Sequence, residues 1–229
     1  MPQHAALPRF LLDRGRRILL AVGGLMVIAL GAYLQLQADI GLSPWFALNQ
    51  GLSRTFPISY GNASIAVSFL VLAADLILRE PIGIGTILDI LVIGWGTDFF
   101  LSLGLVPVQT RLVPQLLMLL AGITVCAFGQ YLYMRAALSC GPRDALMVAL
   151  GRRITRVSIG TVNILLSLAV LTAGTLLGSR VGVGTLIGLS GTGVIMDLVF
   201  HLLRFEPRTV INEGIVQTWA AFTAAWRGN

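Results

Sequence analysis

The sequence predicts an all-α, polytopic transmembrane helical bundle of six spans, arranged as two inverted three-span repeats with a short extra helix in each. Three observations predict it. The 229 residues are 56% hydrophobic and 11% charged, whereas a soluble domain carries about 25% charged residues. Six apolar stretches approach the roughly 20 residues that a helix needs to cross a bilayer core of about 30 Å. The chain also aligns with itself at an offset of about 100 residues. A mean hydropathy of +0.86 excludes a soluble globular domain, a disordered chain, collagen and a disulfide-rich scaffold.

The spans fall at Ile18–Gln37, Asn62–Leu78, Ile82–Leu103, Leu112–Met134, Val157–Leu177 and Val181–Leu203. Residues 1–17 form an N-terminal segment, 18–104 and 112–204 the two repeats, and 205–229 a tail. With the N-terminus inside, thirteen arginines face the cytoplasm and only Arg54, Arg111 and Arg180 face out. Positive charge collects on the cytoplasmic side of membrane proteins, so both termini are expected there. The first apolar run is long for a signal peptide and no clear Ala-x-Ala site follows it, so it reads as a span. In the tail, Trp219, Phe222 and Trp226 recur at three- and four-residue steps, the pattern of a helix lying on the inner membrane face.

The repeat rests on ordered matches. Gly31-Ala32-Tyr33 matches Gly129-Gln130-Tyr131, Gly41 matches Gly141, Gly51 matches Gly151 and Gly61 matches Gly160. The string Gly83-Ile84-Gly85-Thr86 matches Gly182-Val183-Gly184-Thr185, and Asp98 matches Asp197. An odd number of spans per unit makes the second unit enter the membrane from the opposite face, as in many secondary transporters. Within each unit a segment too short and too polar to cross follows the first span: 43–53, with Ser43 placed to cap and Pro44 at the first helical position, and 142–151. Each is either a re-entrant half-helix presenting its N-terminus at depth or an amphipathic helix on the surface. Trp45 suits either placement.

Gly41-Leu42-Ser43-Pro44-Trp45, Gly141-Pro142-Arg143-Asp144-Ala145-Leu146-Met147-Val148 and the two Gly-x-Gly-Thr strings resemble the YczE-type bacterial membrane proteins of the YczE/YyaS/YitT group. The likeness covers residues 18 to 204 and implies a small multi-pass protein of the bacterial cytoplasmic membrane, with no agreed catalytic residues to carry over. One departure is visible: Phe46 stands where an acid is expected after the tryptophan.

Charged side chains at bilayer depth are costly and mark pathways or partners. Asp98 and Asp197, equivalent in the two units, are the leading candidates for a solute or ion pathway, and inversion would bring them near a common axis. His201, one turn beyond Asp197, and Arg204 extend the second into a candidate relay. Ser43 and Asn49 on the first short segment, and Arg143 and Asp144 on the second, complete the pathway set. Asp89 is a weaker candidate, because Gly188 occupies its aligned position, and Asp75 is expected to pair with Arg79 four residues on. Gly83, Gly85, Thr86, Gly182, Gly184 and Thr185 are expected to serve close helix packing.

A nucleotide site is refused, since these glycines open apolar spans and follow no strand. No cofactor, no metal and no catalytic residue is expected: two histidines do not make a zinc site, and Cys126 and Cys140 lack ligand spacing. The arginines flank apolar runs, which speaks for lipid headgroups and against nucleic acid. The expected function is a secondary transporter or permease for an unidentified small solute, proton coupling being open to its carboxylates, and not an enzyme. The alternative is a non-transporting accessory protein acting on a membrane partner. The expected partners are the bilayer and that solute, with a homodimer left open.

Overall fold

A computed structural model describes residues 6–154 and 159–206, together with 210, 214, 219 and 223. Among the described residues it holds eight α-helices and no strand: α1 (Ala6–Ala38), α2 (Pro44–Thr55), α3 (Tyr60–Ile77), α4 (Ile84–Leu103), α5 (Leu112–Arg135), α6 (Pro142–Arg153), α7 (Ile159–Leu176) and α8 (Val183–Leu202). Five are long and apolar enough to cross a membrane, namely Leu11–Ala38 of α1, and α3, α4, α5 and α8. In α7 the apolar run Gly160–Leu176 is shorter. The tail helix expected from Trp219, Phe222 and Trp226 lies outside the described residues except at Trp219, which is helical and exposed.

Local sequence accounts for the helix ends. Pro44 and Pro142 open α2 and α6 at the position where a missing N–H costs nothing. Ser59 caps α3, its hydroxyl accepting from Asn62 N–H at 3.1 Å. Thr86 Oγ1 accepts from Gly83 N–H, and Thr185 Oγ1 from Gly182 N–H, each at 3.3 Å, so the two Gly-x-Gly-Thr strings start α4 and α8 in the same way. Helix α1 begins well before Ile18, its extension braced by Arg17 on Asp13 at 2.9 Å. At the other ends, Arg79 (φ 57°), Gly178 (φ 85°) and Arg204 (φ 50°) adopt the left-handed conformation just past α3, α7 and α8. Each is followed by a residue whose N–H reaches back five positions, to Asp75, Gly174 and Phe200, a Schellman closure. Arg79 therefore terminates its helix instead of pairing with Asp75 as expected. Asp75 is buried, and its carboxylate oxygens have no hydrogen-bond partner among the described residues.

The centre is the crossing of α1 and α5, the most extensive helix pair in the fold. Glycine makes it possible. A β-carbon at Gly24 would stand 2.8 Å from the Gly129 carbonyl oxygen, and one at Gly31 would stand 2.7 Å from that of Gly122. Such backbone approach leaves no room for any side chain. Around this pair α4 packs on α1 and α8 on α5; α2 lies against α7 and α3, and α6 against α3 and α7. Among the described residues α3 packs along α4, whereas α7 does not pack along α8.

Candidate functional site

The N-terminal turns of α2 and α6 meet. Arg143, second residue of α6, sets its guanidinium carbon 5.3 Å from the Trp45 ring centre and 6.0 Å from that of Phe46, both in the first turn of α2. The approach path explains how. Residues 39–43 descend beside the start of α8: Gly184 N–H donates to Ile40 O at 2.9 Å, and Ser43 lies against Gly188. On the other side Ser139 meets Thr86 at 2.5 Å between hydroxyl oxygens, and Gly141 lies against the Asp89 carboxylate. Gly188 and Asp89 stand five residues into α8 and α4, which is about 7–8 Å along a helix axis.

Around this junction sit polar groups without partners. Asn49 is 0% exposed, and neither atom of its amide has a hydrogen-bond partner among the described residues. The same holds for the hydroxyls of Tyr60 and Tyr133 and for Nε of Arg143. Tyr60 lies beside Asn49, and the charge of Arg143 reaches Tyr60, Asp89 and Asp144. Burial lifts the Asp144 carboxyl above its ordinary range, opposed by Arg143 and by the Gln130 amide, which donates to it at 3.4 Å. Unpaired buried polar groups are rare and each needs a reason. Two helix N-termini and a guanidinium favour an electron-rich group here.

The sequence-selected residues divide. Asn49, Arg143 and Asp144 belong to the junction. Ser43 lies at its edge, at the N-cap position of α2; it makes no side-chain cap bond, and its hydroxyl donates to Gln35 Oε1 at 2.9 Å. Asp98 borders it, half-buried and accepting Gly61 N–H at 2.7 Å between α3 and α4, with its charge reaching the neighbouring Tyr60. Asp197 is exposed on α8, His201 is exposed one turn on, and no hydrogen bond joins them among the described residues. Among the described residues α4 and α8 are not packed along each other. Of the packing glycines, Gly85 abuts Tyr133 and Ser139, and Gly184 abuts Ile40 and Gly41.

Sequence reasoning underrated Asp89 and overlooked Tyr60 and Tyr133. Asp89 and Gly188, aligned in the sequence, have different surroundings. Asp89 faces a glycine at 141, while Gly188 admits the backbone of Ser43. The aromatic pair gave a signal of another kind: Phe46, read as a departure from an expected acid, is a ring under the Arg143 guanidinium.

Residues 15–201 match a family described as a family of unknown function, DUF6198. The chain belongs to this family. Its members' likeness runs along nearly the whole chain. An uncharacterized protein of Haemophilus influenzae is 30% identical over 80% of this chain and 83% of its own length. The uncharacterized membrane protein YczE of Bacillus subtilis is 29% identical over 88% of this chain and 92% of its own, and the uncharacterized protein YyaS of the same organism is 24% identical over 79% and 90%. The family is thus the YczE type, and the apolar helices and the relative's name agree on a membrane protein. No solved structure matches the chain.

Proposed function

We propose that the chain is a secondary transporter of the bacterial cytoplasmic membrane, built of two three-span units inserted in opposite senses. In this reading α7 is also a span, the fifth of six in chain order, and α2 and α6 are half-helices entering from opposite faces. The two-unit reading is supported by paired details. Left-handed residues follow the same helices in both halves: Asp39 and Ala137, Arg79 and Gly178, Gly104 and Arg204. The α1–α5 crossing exchanges with itself, since Gly31 meets Gly122 while their repeat-mates Gly129 and Gly24 meet each other. The arginine bias supports a cytoplasmic side for both termini.

The observation that carries transport is the junction itself: two half-helix N-termini converging on Arg143, with Asn49, Tyr60 and Arg143 Nε buried and unpartnered. Half-helix N-termini at mid-depth are a recurrent way to hold anionic substrate groups in transporters. The substrate class this favours is a small solute bearing an anionic group. Asp89 and Asp144, beside Arg143, are the groups to carry a coupled proton. Asp98 borders the junction through Tyr60 and Gly61, and Asp197 is exposed on α8.

Counterflow in proteoliposomes, with small organic and inorganic anions as the solute panel, tests this. Flux of at least one anion that is lost in Arg143→Gln and reduced in Asn49→Ala, with folding intact, is the expected result. An accessory protein would show no counterflow and would tolerate both changes. Labelling of single cysteines at 41 and 141 tests the inversion independently; reaction from opposite compartments is expected.

A further inference from the structure

The fold contains a contact made once where the sequence provides for it twice. Between α3 and α4, Gly61 at the start of one helix sits against Gly94, and its N–H donates to Asp98 Oδ1 at 2.7 Å. One turn further on, Ile65 covers Gly94 so closely that a β-carbon there would meet Ile65 Cγ1 at 2.5 Å. The second half holds the same residue types in the same order: Gly160 and Ile164 on α7, Gly193 and Asp197 on α8. There they do not meet. Gly160 is exposed, Gly193 has nothing within 4 Å of its β-position, Ile164 is 59% exposed and Asp197 is exposed on an apolar helix.

An acid turned outward on a spanning helix is unfavourable and calls for a partner. The first half shows the partner's form: the opening turn of the preceding helix, where N–H groups have no intrahelical acceptor. Helices α7 and α8 are joined through residues 177–182, including Gly178 at φ 85°, so they are tethered at one end and parted at the other. Their equivalents α3 and α4 are tethered through 78–83 and closed at the far end by Gly61 and Asp98.

We infer that the chain has a second conformation in which the opening turn of α7 docks on α8, Gly160 N–H donating to the Asp197 carboxylate and Ile164 covering Gly193. This rests on the two-unit reading above. In the conformation described here the α3–α4 hairpin is shut and the α7–α8 hairpin is open, each at the end away from its loop. With the units inverted those ends face opposite sides of the membrane. Closing the second hairpin would therefore close the cytoplasmic side, the motion that alternating access through the Arg143 junction requires.

Paired cysteines test it in full-length protein in membranes, with Cys126 and Cys140 replaced by alanine and a protease site placed in 177–182. Ala66→Cys with Phe99→Cys reports the closed hairpin, and Leu165→Cys with Leu198→Cys the open one, so that no side chain is added at Gly94 or Gly193, where the closed contact leaves no room. With a bifunctional thiol reagent both pairs are expected to cross-link within one chain, and Asp197→Ala is expected to slow the second pair at least several-fold while sparing the first. Independently, spin labels at Leu165→Cys and Leu198→Cys should give two distance populations, the shorter like that of labels at Ala66→Cys and Phe99→Cys. A single long distance with no intrachain cross-link overturns the inference, and so does a cross-link formed only between two copies. Opposite-side labelling at 41 and 141 in the same preparations would then leave the two-unit reading standing; same-side labelling would remove both.

Discussion

The Arg143 guanidinium rests on the Trp45 ring at 5.3 Å, and this contact ties together two short helices from opposite halves of the chain. A cation over an indole face contributes about 0.5–1 kcal/mol when exposed and about 2 kcal/mol when desolvated. Because Arg143 is half-buried with its Nε enclosed, the upper part of that range applies. A double-mutant cycle of Trp45→Leu and Arg143→Gln in detergent unfolding should give a coupling of about 1–2 kcal/mol. Arg143→Gln alone should cost more than Trp45→Leu alone, since it leaves Asp89 and Asp144 without their counter-charge. A coupling near zero would show that the two short helices are held together by something else.

The α1–α5 crossing gives a sharp internal control, because adjacent glycines face opposite ways. At Gly23 a β-carbon meets nothing within 4 Å, whereas at Gly24 it meets Tyr133 N at 2.7 Å and the Gly129 carbonyl at 2.8 Å. Gly24→Ala must push two backbones apart and should destabilise the protein by about 1–3 kcal/mol. Gly23→Ala should be neutral or slightly stabilising, since alanine is the better helix former by about 1 kcal/mol. Thermal unfolding of the two variants in one detergent measures the difference. Equal effects would deny that the crossing is backbone-tight.

How legible this was in the sequence depended on the physics of each feature. Spans are set by length and apolarity, so α4, α5 and α8 fall within two residues of their expected limits. The extension of α1 before Ile18 was not legible, because charged residues such as Asp13 and Arg17 interrupt the apolar run and yet pair one turn apart along the helix. Matching strings located the shared starts of α4 and α8. They also drew attention to Asp98 and Asp197, which match. Asp89 and Arg143, which do not, lie at the junction. Asp89 has Gly188 at its aligned position, so a search for repeated acids passes over it.

Asp98 and Asp197 should differ in what they contribute to stability. The Asp98 carboxylate accepts a backbone N–H at 2.7 Å, and a hydrogen bond to a charged group contributes about 1.5–3 kcal/mol. Asp98→Ala should lose an amount in that range and loosen α3 from α4, which hydrogen exchange at Gly61 would register. Asp197→Ala, removing an exposed acid, should leave the melting temperature unchanged or raise it. If Asp197→Ala proved the more damaging of the two, the open α7–α8 arrangement could not be the dominant state.

The last contrast concerns the two places where a short helix begins against a span. At Gly188 a β-carbon would stand 3.0 Å from Ser43 Cα, which is backbone; at Gly141 it would stand 3.0 Å from Asp89 Oδ1, the tip of a side chain. Backbone cannot yield without moving the start of α2, while a carboxylate can rotate away. Gly188→Ala should therefore cost about 1–3 kcal/mol, as overpacking does, and should weaken the Ser43–Gln35 hydrogen bond. Gly141→Ala should cost less, and Asp89→Ala in the same chain should remove what penalty remains, so that the pair is non-additive. Unfolding of the three variants checks this directly. If Gly141→Ala is as severe as Gly188→Ala and Asp89→Ala does not relieve it, then the start of α6 is fixed by its backbone and not by room left for the Asp89 carboxylate.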